Sequence, residues 1–195
     1  MTTYFKFRPL TMRTLHIIHL PHREDRLVTL MDELRIQQIP YRRIWDGFWD
    51  KEVPARGILK AHQQIVSYAK TEGLDMITIA EDDVQFMAKG AFRYYLENEP
   101  AKFDLYLGGI TWGDIKQDSC VDDFSGTSLY TIAARFYDRL LALEPGLDFD
   151  RQLAGRGLFK VCHPVVALQH NGYSDNSRQL MDFNRYTDRY DRYKG

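Results

Sequence analysis

The sequence predicts an α/β protein: a mixed, mainly parallel sheet flanked by helices. Three observations lead there. Short apolar runs alternate with helical stripes through roughly the first 110 residues. Turn signals separate them, as at Asp46-Gly47 and Gly73. One apolar run, Met76 to Ala80, passes straight into Glu81-Asp82-Asp83. Open sheets of this class bind ligands outside the carboxyl ends of their strands, which is where that triplet falls.

The elements follow in order. Thr14 to Leu20 (TLHIIHL) reads as a first strand, ended by Pro21. Leu27, Leu30, Met31 and Leu34 recur at i, i+3, i+4 and i+7, one face of a helix. Tyr41 to Trp45 (YRRIW) is a second strand. Ile58, Ala61, His62, Ile65, Tyr68 and Ala69 trace a second helical face, closed by Gly73. Met76 to Ala80 is the third strand, and Phe92, Tyr95 and Leu96 sit on a short helix before Pro100. Phe103 to Leu107 is a fourth strand, and Thr111 to Phe124 a polar loop. Thr127 to Ala133 reads as a strand, and Phe136, Leu140, Leu141 and Leu143 as a helix ending before Pro145-Gly146. Leu158 to Leu168 contains a last strand, with Pro164 marking an edge or a break.

With 195 residues the chain suits one domain, residues 1–195, in which 177–195 form a polar, tyrosine-rich tail that packs as a helix or stays loose. Composition excludes several classes. A net charge of −1 gives no basic surplus for nucleic acid. No apolar run approaches the ~20 residues of a spanning helix, which leaves peripheral membrane contact by the tail. The opening MTTYFKFRPLTMR lacks the apolar core of a secretory signal. Cys120 and Cys162 show neither metal spacing nor a disulfide framework. A reducing, cytoplasmic setting is the simplest reading.

Three adjacent carboxylates repel one another and need solvent, a cation or a metal to offset that. Alternation along a strand sends Glu81 and Asp83 to one side and Asp82 to the other. Two hard oxygen donors on one side suit Mg²⁺ or Mn²⁺, with room left for substrate phosphates. A solvated acidic loop fits the same spacing.

Several stretches together carry a family resemblance. A strand leads into Ile18-His19-Leu20-Pro21-His22-Arg23-Glu24-Asp25-Arg26, similar to I-N-L-x-x-R-x-x-R. Gly57-Ile58-Leu59-Lys60-Ala61-His62 is similar to G-C-x-L-S-H, and Glu81-Asp82-Asp83 to E-D-D. Tyr106-Leu107-Gly108, then Gly126 to Tyr130 (G-x-x-x-Y), Asp150 to Leu153 (D-x-x-L), and Pro164, Gln169, His170 and Ser174-Asp175 follow in order. The chain resembles glycosyltransferase family 25, whose members build lipooligosaccharide and related glycans and include the collagen galactosyltransferases. It departs from the pattern at His19, Ile58 and Ala61, and is short for the family.

The resemblance implies a GT-A-like, Rossmann-type fold and a metal-dependent, inverting hexosyltransferase. The donor would be a UDP-hexose, galactose or a relative, and the acceptor a glycan in lipopolysaccharide or similar biosynthesis. It implies Asp83 as first metal ligand, Glu81 assisting or holding the ribose, and His170 completing the sphere of Mn²⁺ or Mg²⁺. Arg23, Arg26, Glu81, Asp82 and His62 fall to the donor. A guanidinium pairs with phosphate or stacks on a base, although two solvated arginines at a helix start read the same way. His62 also fits a core histidine on the Ile58–Ile65 stripe, and His170 a surface loop. Asp150 is the candidate base that takes the acceptor hydroxyl proton, ahead of Asp148 and Asp114. It also fits a helix N-cap in LDFDRQL. Trp45, Trp49 and Trp112 offer sugar platforms, with core or lid packing the alternative for Trp45. Two other readings stay open: a binding module of the same fold that has lost catalysis, and a metal-dependent phosphoryl-transfer enzyme built on the triplet.

Overall fold

The structure is a computed structural model that describes residues 13–195. The opening segment read for a secretory signal lies outside the described residues apart from Arg13. In chain order the elements are β1 (Leu15–His19), α1 (Glu24–Ile36), β2 (Arg42–Asp46), α2 (Pro54–Thr71), β3 (Met76–Glu81), β4 (Val84–Phe86), α3 (Ala91–Glu97) and β5 (Leu105–Leu107). There follow β6 (Trp112–Gly113), β7 (Cys120–Val121), β8 (Phe124–Ser125), β9 (Leu129–Ala133), α4 (Tyr137–Leu141), α5 (Phe149–Leu153) and β10 (Phe159–Val161). The chain ends with β11 (Ala167–Gln169), β12 (Gly172–Ser174), β13 (Gln179–Met181) and α6 (Phe183–Thr187).

The central sheet has seven strands in the order β2-β1-β3-β9-β5-β10-β7. β2, β1 and β3 pair in parallel, as do β5 and β10, while β9 runs against both β3 and β5 and β7 against β10. Five of the seven strands therefore share one direction, the mixed and mainly parallel sheet the sequence predicts. Because β9 is reversed, its start lies beside the ends of β3 and β5. Ala80 pairs with Leu129, and the Glu81 amide donates to Ser128 O at 3.1 Å. The five co-directional strands thus end at one edge of the sheet, where the reversed β9 and β7 begin.

Alternation along the strands assigns the faces. Leu15, Ile17 and Ala80 join Leu30 and Leu34 of α1 and Phe92 and Tyr95 of α3 in one apolar cluster. Ile77 and Ile79 join Leu59, Ile65 and Val66 of α2 and Leu153 of α5 in another. Burial of these side chains is the main favourable term in the fold. Val28 and Met31 of α1 stay exposed, so the stripe that does the packing is narrower than its apolar content. α2 starts with Pro54 at its first turn, where a missing amide hydrogen is harmless. Its end is a Schellman motif: Leu74 N donates to Ala69 O and Gly73 N to Lys70 O, with Gly73 at φ +63°.

Two expectations are corrected. The polar stretch 111–124 carries three two-residue strands, β6, β7 and the start of β8, too short to leave a periodic signal. The single strand expected in 158–168 is two, β10 and β11, separated around Pro164. β11 pairs antiparallel with β4, a strand that propensity missed because it follows the acidic triplet directly. The tail docks onto the domain: Tyr190 donates to Gly113 O at 2.7 Å, and Tyr193 N to Val165 O at 2.8 Å. Among the described residues no helix is long and apolar enough to cross a membrane, and both cysteines are free.

Gly57 shows why the first turn of α2 needs a glycine. A Cβ there would stand 2.1 Å from Phe48 O, a backbone atom that cannot swing away. Ala gains up to ~1 kcal/mol of helix propensity over Gly, whereas overpacking costs about 1–3 kcal/mol or more. Gly57→Ala is therefore expected to lower stability by about 1–2 kcal/mol net, read as a lower urea midpoint at unchanged slope.

Candidate functional site

A cleft of about 270 Å³ opens at this shared edge. Its walls come from the ends of β1 and β3, the segment after β2, the first turns of α2, the start of β9, and α5. Its lining combines apolar Leu20, Phe48, Trp49, Pro54 and Ile58 with acidic Glu81, Asp83, Asp148 and Asp150.

The triplet divides as the faces dictate. Glu81 continues the Ile77–Ile79 face toward α2. Its Oε1 accepts from Thr127 Oγ1 at 2.7 Å and lies 3.6 Å from His62 Nε2. Asp82 turns to the α1 face. Its Oδ2 accepts from His19 Nδ1 at 2.8 Å and from the Leu20 amide at 3.1 Å, and its Oδ1 from Arg26 at 2.9 Å. Asp83 breaks the expected alternation, because β3 ends at Glu81 and residues 82–83 form a turn into β4. Its Oδ2 lies 3.1 Å from the same Arg26 nitrogen, and its Oδ1 is buried without a hydrogen-bond partner.

Burial, then the neighbouring charge of Glu81, push Asp83 up to about 7, against the pull of Arg26. Burial would also raise Glu81, but His62 and Thr127 outweigh it and hold that carboxyl below its ordinary value. Burial raises Asp150, whose Oδ2 accepts from the Gly126 amide at 3.0 Å and whose Oδ1 accepts from the Arg151 amide at 2.8 Å. The N-cap position of α5 belongs to Asp148, not to Asp150. Asp148 Oδ1 instead accepts from Asn176 Nδ2 at 3.0 Å.

Of the residues singled out in sequence, Arg26, His62, Glu81, Asp82, Asp83 and Asp150 meet in this cleft. Arg23 and His170 do not; they line an adjoining cavity of about 220 Å³ behind Arg26, Asp82 and Asp83. Arg23 binds Asp25 at 2.7 Å and Asp175 at 2.5 Å, clipping the β12–β13 hairpin to the start of α1. The His170 amide donates to Asp83 O at 2.8 Å, but its ring turns to α1, with Nε2 3.3 Å from Glu33 and out of hydrogen-bond alignment. Asp83, Glu81 and His170 therefore do not converge. Among the described residues no three His, Cys, Asp or Glu side chains form a metal centre.

Asp114 lies on a separate cavity with His163 and Arg189. Trp45 is core, its Nε1 donating to His16 Nδ1 at 3.0 Å. Trp49 is 44% exposed, against the His22 ring. Trp112 lies outside the cleft lining, under the guanidinium of Arg151. Sequence reasoning assigned no role to Thr127, Gly126 or Tyr130, although all three stand in the G-x-x-x-Y stretch it singled out.

Charge states what the cleft lacks. Seven carboxylates line it against one guanidinium, Arg26. Asp82 is met by Arg26, Asp175 by Arg23, and Asp50 by Arg56. Among the described residues Glu81, Asp148 and Asp150 have no arginine or lysine partner, and Asp83 only shares Arg26 with Asp82. A diphosphate entering alone would be repelled. With one buried carboxylate oxygen unpartnered, Asp83 offers the kind of hard oxygen donor a divalent cation takes.

No family model and no curated protein matches the chain. Solved structures similar to it include a glycosyltransferase involved in the glycosylation of the major capsid of PBCV-1, at 11% identity and TM-score 0.49, covering 85% of this chain and 95% of that one. A mutant Drosophila β1,4-galactosyltransferase 7 complexed with manganese, UDP-Gal and xylobiose aligns at 12% identity and TM-score 0.47, covering 94% and 76%. HddC from Yersinia pseudotuberculosis aligns at 10% identity and TM-score 0.47, covering 77% and 90%. At these identities and scores the likenesses assign no activity to this chain.

Asp83 makes stability depend on pH in a defined direction. Its folded value lies above its ordinary one, so the folded state holds the proton more tightly. That contribution is present below about pH 4 and is lost as pH rises through about 7. Asp83→Asn, measured without divalent metal, is expected to be more stable than the parent at pH 8 by on the order of 2 kcal/mol and equal to it near pH 4. Parallel pH curves for the two proteins would refute the assignment.

Proposed function

We propose that the chain is a divalent-metal-dependent glycosyltransferase that moves a hexose from a UDP-sugar to a glycan hydroxyl in cytoplasmic glycan biosynthesis. One observation carries the reading. A cleft at the ends of the parallel strands lines up a shared guanidinium and the unpartnered buried oxygen of Asp83 with Glu81, Asp148 and Asp150, three carboxylates that lack an arginine or lysine partner among the described residues. That arrangement is short of positive charge, which a divalent cation would supply and a bare diphosphate would not.

In this reading Asp83 and Glu81 would hold the cation, which would supply electrostatic stabilisation to a departing diphosphate. Arg26 adds a guanidinium beside the same phosphates while keeping Asp82 and Asp83 in place. Phe48 and Trp49 in the lining suit a planar base or the apolar C–H face of a sugar. Asp150 takes the proton of the acceptor hydroxyl as that oxygen bonds to the anomeric carbon, and the diphosphate leaves with its electron pair. A carboxyl raised by burial is better matched to that task than an ordinary one. His19, which departs from the family pattern, keeps a polar partner for Asp82, its Nδ1 lying 2.8 Å from Asp82 Oδ2.

Calorimetric titration with UDP and UDP-galactose, with and without Mn²⁺, tests this. Binding is expected only with the metal. Absence of binding under both conditions would overturn the proposal. Asp83→Asn should weaken metal-dependent UDP binding about tenfold or more. Asp150→Asn should keep donor binding and reduce transfer by about 10²–10⁴-fold. Transfer that survives Asp150→Asn would place the base elsewhere.

A further inference from the structure

The segment Gly126 to Tyr130 touches the cleft at three successive points. The Gly126 amide donates to Asp150, the Thr127 hydroxyl donates to Glu81, and Tyr130 Oη lies 2.8 Å from His62 Nδ1. Gly126 needs its glycine: φ is +105°, and a Cβ would stand 2.9 Å from Thr111 N. His62 and Tyr130 are both fully buried. His62 Nε2 has no hydrogen-bond partner, and 3.6 Å from it stands Glu81 Oε1. Phe149 covers the ring, with centroids 4.4 Å apart, and limits its tilt.

The two tautomers of His62 are not equivalent here. If Nδ1–H donated to Tyr130, the buried phenolic hydrogen would need another acceptor, and among the described residues it has none. The bare lone pair of Nε2 would then face a carboxylate. If Tyr130 O–H donates to Nδ1, both faults vanish: the phenol is satisfied and Nε2 carries a hydrogen aimed at Glu81. The 3.6 Å gap is long for a hydrogen bond, and a shift of about half an ångström closes it, as such bonds tighten when a site fills.

We propose that Tyr130 and His62 are positioning residues: the Tyr130 hydroxyl donates to Nδ1 and so directs the ring hydrogen of His62 to Nε2, and that N–H, with the Thr127 hydroxyl, orients Glu81 in the cleft. The inference deepens the functional reading above, but its first test needs no activity.

The test is two-bond ¹H–¹⁵N correlation on histidine-labelled full-length protein at about pH 8, with His62 assigned by loss of its signals in His62→Gln. The expected spectrum shows an unprotonated Nδ1 and a protonated Nε2. Tyr130→Phe should convert His62 to a tautomer mixture, and Glu81→Gln should move the Nε2 proton resonance while leaving Nδ1 unprotonated. A parent ring that is Nδ1–H, or protonated on both nitrogens, overturns the proposal. So does an Nε2 proton indifferent to Glu81→Gln.

Mn²⁺ affinity supplies the second arm. His62→Leu should weaken it by about 10–100-fold, and His62→Gln, whose amide N–H reaches the Nε2 position, should restore most of it. Equal losses in both variants would make His62 a packing residue only and overturn its positioning role. If the protein binds no UDP-sugar at all, the functional reading fails while the tautomer spectra still decide the Tyr130–His62 link.

Discussion

The site hangs on the carboxylate of Asp82. A buried carboxylate is expensive to desolvate unless charge and hydrogen bonds compensate it. Asp82 finds that compensation in three groups from one stretch of chain: the ring of His19 at the end of β1, the Leu20 amide just after it, and the Arg26 guanidinium on α1. One carboxylate therefore ties β3 to β1 and fixes the angle at which α1 leaves the sheet. Arg26 is held in turn, so its place beside Asp83 follows from Asp82 being satisfied first.

Satisfying Asp82 leaves Asp83 short. A single Arg26 nitrogen serves both carboxylates, and one oxygen of Asp83 has nothing. The fold thus stabilises one acid of the triplet fully and leaves the next unneutralised, facing a cleft that holds Glu81 and Asp150. Separate environments for adjacent acids are how one scaffold gives like residues different tasks. Here the division comes from the pleat, which sends Glu81 toward α2 and Asp82 toward α1, and from the turn, which brings Asp83 round to Arg26.

Much of this is legible in the residues alone, and the limits are physical. Strand and helix periods mark β1, α1, α2 and β3 because each buries one face over several turns or pleats. The triplet stands out because apolar sequence ends abruptly in charge. Pairs of two or three residues such as β4 and β11 leave no period, yet their pairing sets where His170 goes. The sequence places His170 near the triplet, and its backbone is; the ring points to Glu33 because α1 packs on that side, and no local pattern records a packing direction. Arg23 likewise sits one turn from Arg26, but the hairpin that takes it lies about 150 residues away in sequence.

The reversal of β9 explains why the site is assembled from distant segments. A parallel strand next to β3 would end at this edge and bring its own last residue to it. The antiparallel β9 brings the residues that lead into it instead, and a segment just before a strand can offer backbone amides and hydroxyls that no ladder consumes. Gly126 and Thr127 do so, to Asp150 and Glu81. Tyr130 lies inside the ladder paired with Ile79, so its hydroxyl can reach only across the sheet face, to His62 on α2. The same reversal that brings β9 to this edge therefore separates donors that touch the acids directly from one that acts on them through a histidine.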